Sequence, residues 1–263
     1  LRIANGGLAG QQLGADRNVR FYNPYVLNAV DKTRMLIGTA NIYESRDRGD
    51  NLTDLGFHQR FISALVYGGR KNGTANPGIF YIGHADCNNC TAAILRRRAA
   101  DGEAIQDLPR YPGRGVRALA VDPADHDRVF VVDTGSRIWT SLDGGASWQD
   151  ETENLPQLAT DVRTIEVIRT GVHDAIVVGG LGGVFQLRRA DVVGARQWHR
   201  LSTSLPHGLV TDLRYNVSDD VLLAAVFGRG AWTLRNFYGI NGSPAAARAA
   251  SAAAARIAAQ PAR

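Results

Sequence analysis

The feature that most constrains this chain is a segment that recurs five times along it. The clearest copy runs Val116-Arg117-Ala118-Leu119-Ala120-Val121-Asp122-Pro123, then Arg128–Val132, then Ile138–Ser141, then Trp148–Asp150. Short runs rich in β-branched and aromatic residues, separated by Asp, Gly and Pro, predict a four-stranded antiparallel meander. Upstream copies read Tyr25–Asn28, Arg34–Gly38, Ile42–Ser45 and Leu52–Leu55, and more loosely Ile62–Tyr67, Ile79–Gly83, Ala93–Leu95 and Ile105–Leu108. Downstream copies read Val162–Val167, Ala175–Gly180, Val184–Leu187 and Trp198–Leu201, and finally Val210–Tyr215, Val221–Val226 and Ala231–Leu234. First-strand positions Tyr22, Ile62, Val116, Val162 and Val210 are spaced 40, 54, 46 and 48 residues apart. A unit of this size cannot bury its apolar faces alone, so the copies are expected to stack on one another.

The loop of the third copy, Ser141-Leu142-Asp143-Gly144-Gly145-Ala146-Ser147-Trp148, fits Ser-x-Asp-x-Gly-x-x-Trp. A second instance, Ser45-Arg46-Asp47-Arg48-Gly49, carries Leu52 in place of the Trp. Ser and Asp side chains accept hydrogen bonds from nearby backbone N–H groups, Gly supplies a positive φ, and Trp fills apolar space between strands. The pattern resembles the Asp-box (BNR repeat) of sialidase-like β-propellers, and the repeat resembles xyloglucanase-type and sortilin-type propellers. The resemblance implies that Ser141, Asp143, Gly145, Trp148, Ser45, Asp47 and Gly49 are structural residues of the outer rim.

The expected fold class is therefore all-β: a β-propeller of four-stranded antiparallel blades over residues 1–240. About five blade repeats are visible, near 22–56, 62–109, 116–156, 162–206 and 210–235, the last incomplete. An open strand edge invites aggregation. Residues 1–20, with Leu1-Arg2-Ile3-Ala4 as the candidate strand, are expected to close the last blade, unless further blades lie on a longer native chain. Residues 241–263 form an Ala-rich tail with no apolar stripe, expected to be disordered or a frayed helix.

Composition narrows the function classes. A 44% apolar content is that of an ordinary globular chain, and no run of eighteen uncharged apolar residues suggests membrane insertion. The net charge of +5 is carried by Arg, with Lys only at 32 and 71, a bias that points to a GC-rich bacterial genome. The one dense basic run, Arg96-Arg97-Arg98, has no interleaved aromatics, so nucleic acid is not an expected partner. Cys87 and Cys90 lack a second ligand pair for zinc; a small disulfide, and with it an oxidising compartment, is the preferred reading, with free thiols the alternative. No metal and no cofactor is expected. Asp122, Asp125 and Asp127 read as turn chemistry, and Gly179–Gly183 precedes a strand and so reads as a hairpin turn.

Ligands of propellers bind at the mouth of the central channel, on the loops that lead into each inner strand. Those loops place Arg117, Arg163 and Tyr215 as candidate ligand-binding residues and Asp161 and Asp212 as candidate catalytic carboxylates. Arginines suit carboxylates through bidentate hydrogen bonding. A sialidase also needs a Tyr–Glu nucleophile pair, and only Glu166 among the glutamates lies on an inner strand. The expected function is a secreted or cell-surface module, extracellular or periplasmic, that recognises a glycan or an extracellular protein. The alternative is a glycoside hydrolase, sialidase-like or xyloglucanase-like, using two carboxylates.

Overall fold

The computed structural model describes residues 22–57, 60–85, 94–169, 174–188, 196–201 and 204–237. Residues 1–20, 241–263, Cys87 and Cys90 fall outside them, and so do the expectations placed there. The chain divides into two compact units, residues 1–151 and 152–263.

In the first unit, β1 (Tyr25–Leu27), β2 (Met35–Gly38), β3 (Asn41–Ser45) and β4 (Thr53–Phe57) form an antiparallel sheet in chain order. Next come β5 (Ile62–Lys71), β6 (Thr74–His84), β7 (Leu95–Arg98) and β8 (Gln106–Asp107), then β9 (Val116–Asp122), β10 (Asp125–Asp133), β11 (Ile138–Ser141) and β12 (Gln149–Asp150). These two meanders share one sheet, because the long β5–β6 hairpin runs past its core and pairs Lys71 with Asp125 of β10. The hairpin turns at Asn72-Gly73, both at positive φ, as a two-residue turn matched to strand twist requires.

The second unit holds a one-turn helix, α1 (Leu155–Leu158), and the sheet β13 (Thr160–Arg169), β14 (Asp174–Leu181), β15 (Gly183–Arg188) and β16 (Trp198–Arg200). A three-stranded sheet follows: β17 (Val210–Asn216), β18 (Val221–Val226) and β19 (Gly230–Arg235). All pairings are between antiparallel neighbours, so nearly every described element is strand, in antiparallel meanders.

Period-two alternation explains how the meanders stack. In β5 and β6, Leu65, Tyr67, Phe80 and Ile82 meet Leu36 and Ile42 of the first sheet. Their alternates Ala64, Ile79 and Tyr81 meet Val116, Leu119, Val129 and Val131 of the next meander. The second unit repeats this, with Ile168, Ala175, Val177 and Val184 against Val210, Leu213, Leu222, Ala224 and Val226. Burying each of the Val, Leu, Ile and Phe side chains among these stabilises by about 1.5–3 kcal/mol.

The repeat spacing has a tertiary cause. Ile62, Val116 and Val210, the residues that open β5, β9 and β17, each seat on a glycine of the preceding meander. A Cβ on Gly38 would lie 2.7 Å from Ile62 Cγ2, one on Gly83 2.3 Å from Val116 Cγ1, and one on Gly179 2.5 Å from Val210 Cγ1.

The two turns of Asp-box pattern close with the same hydrogen bonds. Ser141 Oγ donates to Asp143 Oδ1 at 2.8 Å and accepts from Gly145 N at 2.8 Å, while Asp143 accepts from Ser147 N and Oγ. Ser45 Oγ likewise donates to Asp47 at 2.9 Å and accepts from Gly49 N at 2.8 Å, and Asp47 accepts from Asn51 N and Nδ2. The Ser147 hydroxyl and N–H, with Ser141, hold the Asp143 carboxyl down at about 2. Trp148 donates to Gly145 O and meets the Tyr111 ring edge-on at 5.1 Å, while Leu52 is buried with Met35, Ile37 and Tyr43. Ser141 is itself buried, so Ser141→Ala strands the Gly145 N–H and should cost about 1–2 kcal/mol in urea unfolding. A loss below a few tenths would mean that water replaces the hydroxyl.

Candidate functional site

Backbone hydrogen bonds bring the segments leading into first strands to the same end as the turns between second and third strands. Ile62 N donates to Thr39 O, Thr134 N to Gly115 O, and Phe227 N to Leu209 O, at 2.7–2.8 Å. This end of each unit carries the sequence-predicted Arg117, Asp161, Arg163 and Asp212, while Tyr215 lies near the other end of its strand.

In the second unit, Asp161 lies inside β13 at φ 52, where the β13–β14 register shifts between Thr160 and Thr164. A β-bulge of this kind re-aims a side chain. Its Oδ2 pairs with Arg163 Nη2 at 2.7 Å. A second bulge, between Val210 and Asp212, gives β17 a parallel arrangement: Asp212 Oδ1 accepts from Leu213 N at 3.0 Å and lies 3.4 Å from Arg214 Nη1. The two candidate carboxylates thus each pair with the arginine two residues on.

Side chains of β13 then bond the backbone of β17. Thr164 Oγ1 accepts from Leu213 N at 3.2 Å and Glu166 Oε1 from Tyr215 N at 3.3 Å. Burial pushes the Glu166 carboxyl up to about 7, against the lowering influence of Arg214 and of the Tyr215 N–H. Tyr215 itself turns into the core, its ring 5.7 Å from Phe237 and its hydroxyl 2.8 Å from Asp220. Arg214, like Thr211 and Asn216 of that strand, is exposed. Leu181, Phe227 and Trp232 are exposed at the same end; Leu181 bridges Leu209, and Trp232 Nε1 donates to Arg229 O at 3.0 Å. Phe227 is 76% exposed, an unusual setting for a phenylalanine.

In the first unit, Arg117 is half-buried on β9. Nearby Asp133 serves the fold: its buried carboxylate accepts from Arg137 N, Trp139 Nε1 and Arg114 N at 2.9–3.4 Å.

A Tyr–Glu pair with arginines does form, at a place the strand order along the chain did not suggest. Tyr67 Oη donates to Glu44 Oε1 at 2.6 Å, Arg98 Nη2 reaches the same oxygen at 2.6 Å, and Arg46 Nε reaches Oε2 at 3.1 Å. Asp101 links Arg34, Arg46 and Arg98, and Asp31 pairs with Arg34, so three carboxylates face three guanidiniums. Glu44, Tyr67 and Arg98 are 3%, 2% and 4% exposed, which closes the Tyr–Glu pair to a substrate, while Arg46 and Asp101 form the solvent side of the cluster. It has the residue types that a sialidase needs without the access, and its work is structural.

The basic run is absorbed in the same way. Arg96 pairs with Asp107 at 2.7 Å, Arg97 with Asp127, and Arg98 with Glu44 while stacking on Phe80. Asp127 also pairs with Lys71, and buried Asp122 accepts from Ala124 N and pairs with Arg128, as turn-forming aspartates do.

No family model matches the chain. No curated protein matches it either. Among solved structures it is similar to YCF48 from Cyanidioschyzon merolae, at 16% identity over 80% of this chain, with TM-score 0.48. The GH74 xyloglucanase from Xanthomonas campestris matches 81% of the chain at 15% identity and TM-score 0.49. The extracellular domain of BT4673 from B. thetaiotaomicron matches 85% at 14% identity and TM-score 0.56. The chain spans 65%, 38% and 27% of the lengths of those three chains. At such identities the likeness is one of fold. No described helix is long and apolar enough to cross a membrane.

The exposed Leu181, Phe227 and Trp232 are the functional candidates that sequence reasoning missed. The turn Phe227-Gly228-Arg229-Gly230 was their signal: an aromatic beside two glycines, where the chain reverses at the surface.

Proposed function

We propose that the chain is a recognition module built as a β-propeller of Asp-box repeats, each meander being one blade. Its ligand surface is the end of the second unit where β13 and β17 begin, and the ligand is an extracellular glycan or protein segment. The observation that carries this reading is the pairing at both bulges: Asp161 with Arg163 and Asp212 with Arg214, beside exposed Leu181 and Phe227. Such a surface offers charged donors and acceptors next to apolar area, the composition of a binding site with a few orienting polar groups. The two aspartates serve as hydrogen-bonding partners of arginine. Arg117 belongs to the equivalent surface of the first unit, while Tyr215 supports β17 from behind. The stacked meanders and the paired Asp-box turns support the propeller assignment, and placement outside the cytoplasm is part of the proposal.

One observation favours the hydrolase reading. Glu166, with its carboxyl held near neutrality beside Asp212, is the kind of group that serves as a general acid. Glycan and peptide arrays, run together with a panel of fluorogenic glycosides, separate the two. Saturable binding without turnover is expected, weakened about tenfold by Arg163→Ala through loss of a charged hydrogen-bond donor. Turnover of any glycoside that Glu166→Gln abolishes would move the assignment to an enzyme.

A further inference from the structure

In four of the meanders the same backbone bond recurs. The residue at or just past the end of the second strand donates its N–H to the carbonyl of the residue that precedes the first. The pairs are Gly38 with Pro24, Ala85 with Phe61, Thr134 with Gly115 and Phe227 with Leu209, at 2.7–3.4 Å. This bond makes the four donor positions equivalent, so their side chains can be compared directly. The first unit holds Gly, Ala and Thr there, whereas the second holds a phenylalanine that is 76% exposed. In the remaining meander the second strand ends at Leu181, which is 50% exposed and bridges Leu209.

No packing role calls for the larger side chains. Neither Leu181 nor Phe227 belongs to the buried cluster that joins the two described meanders of this unit. Phe227 is carried on a tight reversal, with Gly228 and Gly230 at φ 68 and 79. Leu181, half-buried Leu209 and Phe227 are nevertheless backbone neighbours, joined by the bridge and by the bond to Leu209 O, and so form one apolar ridge.

Exposed arginines flank this ridge. Arg200 donates to Gly182 O beside Leu181, and Arg229 shares the turn of Phe227. Asp161, next to Thr160 that pairs with Leu181, is already matched by Arg163. The rim is therefore positive. An apolar centre with a charged rim is the anatomy of a protein-docking patch. A sugar ring stacks on a flat aromatic face, but here branched aliphatic side chains adjoin the phenylalanine, and the nearby Trp232 indole has committed its N–H to Arg229 O. The chain itself does not complement the rim in charge. Residues 1–21 hold three Arg and one Asp, residues 238–263 hold three Arg and no carboxylate, and a second copy would carry the same net charge of +5.

From this geometry we infer that the ridge of Leu181, Leu209 and Phe227 docks an acidic segment of a partner protein, an assignment that rests on the recognition reading proposed above and narrows its ligand to a polypeptide. One apolar side chain of the segment seats against Phe227, and its carboxylates meet Arg200 and Arg229. Burial of the phenylalanine supplies affinity, and the arginines supply selectivity and speed the encounter.

The test sets the whole chain on an array of peptides Ser-Asp-Asp-X-Asp-Asp-Ser, with X varied, beside a glycan array. Peptides with Leu, Ile, Phe or Trp at X should bind with a dissociation constant of about 1 mM or tighter by fluorescence anisotropy. Those with Ser at X, or with Lys in place of Asp, should not. Phe227→Ser should weaken the Leu peptide at least about tenfold without lowering the thermal midpoint, and Arg229→Glu should weaken it about tenfold. Benzoylphenylalanine placed at position 227 should crosslink to the peptide. Glycan binding in place of peptide binding overturns the inference and keeps the recognition reading, whereas no saturable binding on either array overturns both. Crosslinking to residues 1–21 or 238–263, or a concentration-dependent doubling of mass that Phe227→Ser abolishes, overturns it too, because the chain would then be its own occupant.

Discussion

Arg98→Ala is expected to destabilise the protein by about 3–5 kcal/mol, the usual cost of leaving one member of a buried ion pair uncompensated. Arg98 bonds Glu44 and Asp101, donates to Gly78 O at 2.9 Å and stacks on Phe80, so its loss exposes all of them together. Burial alone would raise the Glu44 carboxyl, but the Arg98 and Tyr67 hydrogen bonds with the Arg98 and Arg46 charges outweigh it and hold it below the usual carboxylate range. A depressed folded value means that Glu44 stabilises the fold above its unfolded value of about 4.3 and loses that contribution as pH falls through the folded one. Acid unfolding of the wild type should therefore show a cooperative loss below about pH 4, and the Arg98→Ala variant should unfold at distinctly higher pH. Urea melts at pH 7 give the first number. A loss under about 1 kcal/mol would show that water reaches the cluster and screens it. The double variant Glu44→Gln with Arg98→Met should be milder than Arg98→Ala, because it removes both charges.

Gly83→Val should rank next, at about 3 kcal/mol, the upper end for overpacking a close contact. The added Cβ would fall 2.3 Å from Val116 Cγ1 and 2.6 Å from Val116 Cβ, and Val116 is fully buried with nowhere to retreat. Gly83 carries no positive φ, so strain plays no part, and the effect isolates meander-to-meander distance. A Val116→Ala change in the same background should recover part of the loss. If Gly83→Val proves neutral by thermal and urea unfolding, the meanders are free to separate at that point. The tertiary reading of the repeat would then fail.

Much of the strand pattern was legible because its causes are local. The runs at Met35–Gly38, Val129–Val132, Val184–Leu187 and Val221–Val226 alternate or are continuously apolar, and Asp, Gly and Pro punctuate them. The Ser–Asp–Gly turns were legible for the same reason, since the side chains of Ser141 and Asp143 bond groups no further along than Ser147. The helical turn at Leu155–Leu158 was not, because Leu155-Pro156 reads equally as a link. Nor was the long β5–β6 hairpin, whose Asn72-Gly73 turn was the signal that should have extended both strands.

The positions of the candidate residues along the chain were legible and their surroundings were not. Asp161 and Asp212 lie near the starts of β13 and β17, and each pairs with the arginine two residues on. Tyr215 illustrates the difference: nearness to an expected inner strand made it a ligand candidate, while its half-buried ring packs beside Phe237 and its hydroxyl meets Asp220. Trp232 was read as an ordinary third-strand residue and Phe227 was not singled out, because exposure depends on what lies against a residue.

What the sequence by itself determined is where most strands and the two Ser–Asp–Gly turns lie, since those depend on contacts a few residues apart, while the seating of one meander on the next, as Val116 on Gly83, is tertiary. Tertiary structure alone decided that Glu44 and Tyr67, distant along the chain, share a hydrogen bond sealed from solvent, and that Arg96, Arg97 and Arg98 each meet a different carboxylate. The physical reason is the same in each case: burial and pairing depend on which faces come together, and a strand's own residues do not specify what will lie against it.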